Sequence, residues 1–243
     1  MVYSRTYKVQ WHDTDASRVM RASRLLVYMQ ETANLQCEDY GLPLDKLRDE
    51  RGLGFVLGQL CMRIVEPIRA YEEITVNTWC REAKGYAFYR YFNVLRDGKT
   101  IAVASTVWGL VDINTKMLAK SDVLAADNFP YDQPIPVHIL PPKARAGKEE
   151  QLSFVGERRI CYSDIDYNMH MNNTNYPDML CDFLPDMTDR FVYDISLSYL
   201  KEAHLGDTLK ISHAVRENGY HVLKTQNADG DTCLEALIRL SQI

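Results

Sequence analysis

The chain has 243 residues, of which 46% are hydrophobic and 25% charged, and its formal net charge is -5. These values are ordinary for a soluble globular protein of one large domain or two smaller ones. The negative charge and the absence of a dense basic run argue against a nucleic-acid-binding protein. No apolar run approaches the roughly 18 residues of a membrane helix, and the polar first residues, without a signal-peptide apolar region, predict a cytoplasmic protein.

The first half reads as a strand, a loop, a helix and then a group of strands. Leu25, Leu26, Met29 and Ala33 recur at helical spacing, which predicts a helix over 23–40 that stops at Gly41. Alternating, β-branched and aromatic segments predict the strands. The predicted ranges are a strand at 7–11, a loop at 12–18, a helical turn at 45–50 and strands at 55–64, 73–82, 87–96 and 100–112.

The second half repeats this order after a proline-rich segment. Five of the nine prolines fall between residues 130 and 142, which predicts an extended linker between two domains or a domain edge lying on the sheet. The predicted elements that follow are a strand at 157–162, a loop at 164–173, a short helix at 174–184 and strands at 194–200, 208–217, 221–227 and 231–240.

Two Asp-x-Asp loops mark an internal repeat. Asp13-Thr-Asp15 aligns with Asp164-Ile-Asp166, and each loop runs from a strand into a helix; the late Asp97-Gly98 and Asp229-Gly230 turns also correspond. A repeat of this length indicates a duplicated domain of α+β class. We predict domains at 1–122 and 151–243, joined by a linker at 123–150.

Side chains distinguish the two loops. His170 and Asn168 of the second loop are matched in the first by Val19 and Ser17, and Asn172-Asn173 by Arg21-Ala22. A purely structural loop has no reason to lose its imidazole and carboxamides in one copy, so the second loop is predicted to carry chemistry. We expect unpaired backbone N–H groups near His170–Asn172, at the start of the following helix, to suit an oxyanion.

With these residues in hand, the chain resembles the acyl-acyl carrier protein (acyl-ACP) thioesterases, the bacterial relatives of the plant FatA and FatB enzymes. The family motif Asp-x-Asn-x-His-x-Asn-Asn is present as 166–173. A second family element is present as Tyr199-Leu-Lys-Glu202-Ala203 before Gly206-Asp207. Trp11-x-Asp13-x-Asp15 and Gly54-Phe-Val-Leu are also similar to it.

The resemblance implies a tandem double hotdog fold, each repeat a long helix packed in a curved antiparallel sheet, with the active site in the second. It implies hydrolysis of a fatty acyl thioester on acyl carrier protein, without a cofactor or metal. The implied catalytic residues are Asp166, Asn168, His170 and Glu202. An acyl tunnel is implied in the first domain, and the substrate-binding candidates are Asn172, Asn173, Leu26, Met29, Val56 and Leu57.

One departure from the family concerns the residue after the glutamate, where members often have cysteine and this chain has Ala203. A thiol nucleophile at that position is therefore excluded, and we expect Glu202 to activate water, or to attack directly, with Asn168 and His170 orienting it. A basic patch is expected to steer the acidic carrier protein. Its candidates are Lys143, Arg145, Lys148, Arg158 and Arg159.

Three other functions stay open on the sequence: an acyl-CoA thioesterase, a hotdog hydratase or dehydratase, and a non-catalytic acyl-thioester sensor. Chain-length preference and the choice between monomer and homodimer are also left open.

Overall fold

The structure, a computed structural model, describes residues 2–83, 85–127, 130–132, 140–147 and 150–243. Its first half contains helices α1 (Ala22–Asp39) and α2 (Leu44–Arg51). The strands of this half are β1 (Tyr3–Lys8), β2 (Leu53–Ile64), β3 (Glu73–Cys80), β4 (Ala87–Arg96), β5 (Lys99–Asp112) and β6 (Leu118–Ala119).

The second half has the same plan with a shorter helix. It contains α3 (Tyr176–Cys181) and the strands β7 (Ser153–Arg159), β8 (Arg190–Tyr199), β9 (Thr208–Val215), β10 (His221–Gln226) and β11 (Thr232–Gln242). Short 3-10 turns occupy Trp11–Asp13, Ser121–Asp127, Tyr162–Asp164 and Asn173–Asn175.

One continuous sheet runs through both halves in the order β1-β3-β4-β5-β2-β8-β11-β10-β9-β7, with β6 paired to β5. Apart from β6, each strand of one half has its counterpart at the mirrored position of the other. The halves join at β2 and β8, which pair antiparallel from Gln59 opposite Ser198 to Arg63 opposite Asp194. The α+β class and the duplicated plan expected from the sequence are therefore both seen in the sheet.

The main core is shared between the halves. Leu25, Leu26 and Met29 on α1 are fully buried, in the same cluster as Leu180 of α3 and Ile195 of β8. Burying a side chain of this size stabilises the fold by about 1.5–3 kcal/mol. The helical spacing read from the sequence thus marks the face of α1 that lies on the sheet.

Two predicted elements are corrected. The first strand lies earlier than 7–11, and Trp11 belongs to a 3-10 turn. The helix of the second repeat is shorter than the long helix that the resemblance implies: α3 spans only six residues. Asn172 and the 3-10 turn occupy its start, and Pro185 closely follows its end, where a residue preceding proline avoids the helical conformation.

The described part of the proline-rich segment lies on the sheet. Ala144 packs with Tyr220, Val222 and Leu237, and the Ser198 hydroxyl donates to the Ala144 carbonyl at 2.8 Å. Residues 140–147 therefore lie on the sheet as a domain edge, which was the alternative to an extended linker. The domain boundaries at 122 and 151 stay a prediction.

Candidate active site

The loop at 164–172 is closed by its own backbone. The Asp166 carboxylate accepts the Asn168 N–H at 2.8 Å, and the Asp166 N–H donates to the His170 carbonyl at 3.0 Å. Met169 takes the left-handed conformation, with φ of 66°. This Asx turn places Asn168 and His170 on either side of one tight bend.

The first half contains the same bend with different side chains. Asp15 accepts the N–H groups of Ser17 and Val19 at 2.9 and 3.1 Å, and its N–H donates to the Val19 carbonyl at 2.8 Å. Arg18 has φ of 61°, matching Met169. The duplicated scaffold therefore holds a histidine in one copy and a valine in the other.

A second segment brings Glu202 to the loop. His170 forms an antiparallel bridge with His204, and the Met171 N–H donates to the Ala203 carbonyl at 2.8 Å. As a result His170 Nε2 lies 3.1 Å from Glu202 Oε2. The histidine and the glutamate, 32 residues apart by their numbers, therefore meet as a close pair.

Burial sets the charge state of His170. Desolvation lowers the pKa of His170, the Glu202 carboxylate opposes this shift, and the nearby His204 adds to it. An imidazole with a lowered pKa is neutral at pH 7. Since the Glu202 side chain is 50% exposed, water reaches the carboxylate of this pair.

Arg48 of α2 reaches across from the first half to Asn168. Its guanidinium donates to Asn168 Oδ1 and lies 4.8 Å from the centre of the Tyr167 ring. A guanidinium only donates, so the Asn168 carbonyl must face it and the Asn168 NH₂ group faces away. Sequence reasoning missed Arg48, because no local pattern links positions so far apart in the chain.

Two of the backbone N–H groups expected as oxyanion donors are already bonded within the protein, which corrects the expectation for Met171 and Asn172. The N–H groups of Met171 and Asn172 donate to the carbonyls of Ala203 and Asp164, each at 2.8 Å. The Asn172 side chain caps Thr174 N at 2.9 Å, and Asn173 offers its carbonyl to the Tyr199 hydroxyl at 3.0 Å. These backbone donors hold the loop closed, and the Asn168 NH₂ group is a further candidate donor because it is turned away from Arg48.

The residue that follows Glu202 is Ala203, which is buried and has no thiol. Cys181, close to the loop in sequence, is half-buried on α3, and desolvation raises its pKa to about 12. A thiol with this pKa carries almost no thiolate at neutral pH, so Cys181 is unsuited to nucleophilic attack.

An apolar cavity of about 90 Å³ lies in the first half, beneath the start of α2. Its lining comes from α1, α2 and the sheet and includes Cys37, Leu42, Leu44, Phe55, Phe88, Arg90, Trp108 and Leu124. The four predicted tunnel residues lie elsewhere: Leu26 and Met29 are fully buried in the main core, Leu57 is buried, and Val56 is exposed. Helix α2 connects the cavity to the loop, since Leu44 lines the one and Arg48 contacts the other.

Three ligand-type side chains meet at the same place. One nitrogen or oxygen each of His170, Glu202 and His204 lies within 4.8 Å of the others. The sequence analysis did not include His204 among the site residues. The internal repeat could have pointed to it, because His204 and Arg69 occupy equivalent positions and each forms a bridge to the bend of its own half.

The chain matches two family descriptions in sequence. The acyl-ACP thioesterase N-terminal domain matches residues 1–125, and the acyl-ACP thioesterase C-terminal domain matches residues 147–240. The chain belongs to the acyl-ACP thioesterase family. It is therefore a thioester hydrolase, as the resemblance in the motifs implied. Among curated protein sequences, none is similar enough to this thioesterase to count as a match.

Solved structures show the same fold. An acyl-ACP thioesterase from Bacteroides thetaiotaomicron superposes with a TM-score of 0.86 at 21% identity, covering 99% of this chain and 98% of that one. The 12:0-ACP thioesterase from Umbellularia californica gives 0.87 at 16% identity, covering 100% of this chain and 98% of that one. The double hotdog architecture of this thioesterase is confirmed.

The predicted basic patch is only partly available for docking. Arg158 forms an ion pair with Asp164 at 2.8 Å, and Lys148 lies outside the described residues. Lys116, in the turn after β5, is close enough to His170 to contribute to the lowering of its pKa.

Among the helices described, none is long and apolar enough to cross a membrane.

Proposed function

We propose that this thioesterase hydrolyses fatty acyl-ACP to a free fatty acid and holo-ACP, with the second half supplying the catalytic residues. The observation that carries the proposal is the His170 Nε2 to Glu202 Oε2 contact of 3.1 Å within the family motif. The contact pairs a carboxylate open to water with an imidazole that is neutral at pH 7.

Glu202 is assigned as the general base. The neutral His170 donates its Nε2–H to one carboxylate oxygen, and the other oxygen is free to take a proton from water. General-base catalysis of this kind contributes about 10²–10⁴-fold. A water that loses its proton to Glu202 attacks the thioester carbonyl; the C–S bond of the tetrahedral intermediate then breaks, and the proton held by Glu202 passes to the sulfur, which leaves as the thiol of the carrier.

Asn168 is assigned to the oxyanion. Its NH₂ group is oriented by the Arg48 contact to its carbonyl, and a donor placed at the developing charge is worth about 2.7–4 kcal/mol. Asp166 is assigned to holding the bend, since its carboxylate accepts the Asn168 N–H.

The cavity beneath α2 is assigned to the acyl chain. Apolar and aromatic groups dominate its lining, and each buried methylene contributes about 0.8 kcal/mol. Its volume of about 90 Å³ equals about three water volumes. A fatty acyl chain therefore requires the lining to move, and α2 is the wall that also contacts the catalytic loop.

Acyl carrier protein is proposed as the carrier because an exposed cation of the first half stands beside the site. Lys116 is close enough to His170 to lower the pKa of its imidazole. Positive charge at the entrance favours an acidic partner and raises its association rate at low salt.

The test is thiol release from a panel of acyl-ACPs and the matching acyl-CoAs of several chain lengths. We expect hydrolysis of acyl-ACP, with a loss of at least 10²-fold in kcat for His170→Ala and for Glu202→Gln. His213→Ala removes a histidine outside the site and serves as the matched control. Full turnover by both site variants would contradict the residue assignment, and turnover of acyl-CoA alone would contradict the carrier.

A further inference from the structure

The group formed by His170, Glu202 and His204 has the make-up of a metal site. One ligand atom from each lies within 4.8 Å of the others, and within the described residues this is the single group of its kind. The two imidazole rings stand at 73° with centroids 4.9 Å apart. Their backbones are fixed by the bridge between residues 170 and 204, so both rings project from neighbouring positions.

The first half shows that the fold itself does not require this group. Val19 bridges Arg69 as His170 bridges His204, and the Met20 N–H donates to the Ile68 carbonyl as Met171 does to Ala203. Pro67 consequently stands where Glu202 does. Valine and proline have no ligand atom, and arginine stays protonated, so all three ligands appear in one copy only.

Distances and chemistry favour a borderline divalent cation. Zinc binds imidazole nitrogen and carboxylate oxygen at about 2.0–2.2 Å in tetrahedral geometry, and two histidines with one glutamate form a known open zinc site. Tetrahedral bonds of that length place neighbouring ligand atoms roughly 3.4 Å apart, close to the 3.1 Å between His170 Nε2 and Glu202 Oε2. Closing the site thus needs movement mainly of His204, whose side chain is exposed.

We propose that His170, Glu202 and His204 bind a single Zn²⁺-type cation, and that the occupied enzyme is inactive. The second part rests on the proposed function: a Glu202 carboxylate whose charge is neutralised by the cation is a much weaker base toward water, and a His170 Nε2 bound to the cation no longer donates to Glu202.

The binding test uses the full-length protein after treatment with EDTA and removal of the chelator. Zn²⁺ is titrated in competition with a chromophoric zinc indicator, without substrate. We expect one equivalent to bind, with affinity reduced at least tenfold in His204→Asn and in Glu202→Gln. His213→Asn and Cys161→Ser, which change a histidine and an exposed thiol elsewhere, are expected to bind like the wild type.

The activity test follows thiol release over the same zinc range, with each variant normalised to its own zinc-free rate. We expect inhibition of the wild type to track occupancy, and His204→Asn to need at least tenfold more zinc. Unchanged zinc affinity in His204→Asn would overturn the site, and an occupied enzyme with full or increased activity would overturn the inhibition. Since zinc binding is measured without substrate, a failure of the proposed function leaves the binding result unchanged.

Discussion

At the scale of single residues, His170 is the group whose environment differs most from its counterpart in the first half. Burial lowers its pKa, the neighbouring His204 and Lys116 lower it further, and the Glu202 and Asp166 carboxylates raise it. The sign of each effect can be tested separately, because each neighbour is removable without touching the imidazole.

We predict that NMR titration of His170 gives a pKa below the ordinary value of about 6.5. Glu202→Gln removes the charge that favours the imidazolium, so the pKa falls further. His204→Asn removes a repulsive neighbour, so the pKa rises toward the ordinary value. A wild-type pKa at or above 6.5, or shifts of the opposite sign, would contradict this explanation of the charge state.

The two Asx turns offer a matched pair of substitutions. Asp166→Ala and Asp15→Ala each remove a carboxylate that accepts backbone N–H groups in equivalent bends. We expect each to lower the free energy of unfolding by about 1 kcal/mol in urea denaturation. Thiol release should fall at least tenfold only for Asp166→Ala, and equal losses of activity would show that the bend is structural in both copies.

At the scale of elements, α2 is the helix of the first half that contacts the loop at 164–172 of the second half. Arg48 contacts Asn168 and Tyr167, while Arg51, one turn further, contacts Asp127 at 2.9 Å. Both arginines hold the same helix, but only Arg48 contacts the loop. Substituting them one at a time therefore separates an effect on the loop from an effect on stability.

We predict that Arg48→Met lowers kcat by up to about 10²-fold, the cost of misplacing a reacting group by about 1 Å, and leaves KM nearly unchanged. Arg48→Lys should recover part of the loss. Arg51→Met should lower the melting temperature without lowering kcat. If Arg48 instead bound the carrier, KM for acyl-ACP would rise and kcat would hold.

The cavity offers a second prediction at this scale. Phe88 lines it, in edge contact with Phe55 at 5.1 Å between centroids, while Phe92 on the same strand is buried in the main core. Phe88→Ala should shift preference in an acyl-ACP panel toward longer chains, by about fourfold per added methylene at about 0.8 kcal/mol each. Phe92→Ala should lose stability while its chain-length ratios stay those of the wild type.

Elements were predictable where a single periodicity covers the segment. Helix α1 lies within one residue of its predicted range, and β4 matches its range of 87–96, because apolar spacing and turn residues agree there. The positive φ values of Asp97 and Gly98 confirm the hairpin read from that dipeptide. The second helix was predicted too long, since its capped start and nearby proline outweigh its apolar pattern.

The site was predictable as a set of residue types and less so as a geometry. The motif identified His170 and Glu202, whose contact the structure supplies. Arg48 and the position of the cavity depend on how the first half lies against the second, which no local pattern records. The N–H groups of Met171 and Asn172 were wrong as oxyanion donors for a similar reason: their carbonyl partners, Ala203 and Asp164, come near only on folding.

At the scale of the whole molecule, the two halves are joined by a buried charge network at the central strand pair. Asp194 of β8 is fully buried and accepts from Arg63 of β2 at 2.6 Å, from Tyr220 at 2.6 Å and from Arg239 at 3.0 Å. Arg63 belongs to the first half and the other partners to the second. One carboxylate therefore ties both halves of the sheet together.

We predict that Asp194→Ala lowers the free energy of unfolding by about 3–5 kcal/mol, because removing one partner leaves the guanidinium groups without their buried counter-charge. Asp186→Ala is the matched control: its ion pair with Arg190 is exposed and 3.9 Å long, so its loss costs about 0–1 kcal/mol. Urea denaturation followed by tryptophan fluorescence and by circular dichroism measures both. Because the halves share one sheet and one core, the two probes should give a single coincident transition in the wild type and in Asp186→Ala. A wild type whose halves unfold at separate urea concentrations would contradict the shared core, and equal losses in the two variants would contradict the role assigned to Asp194.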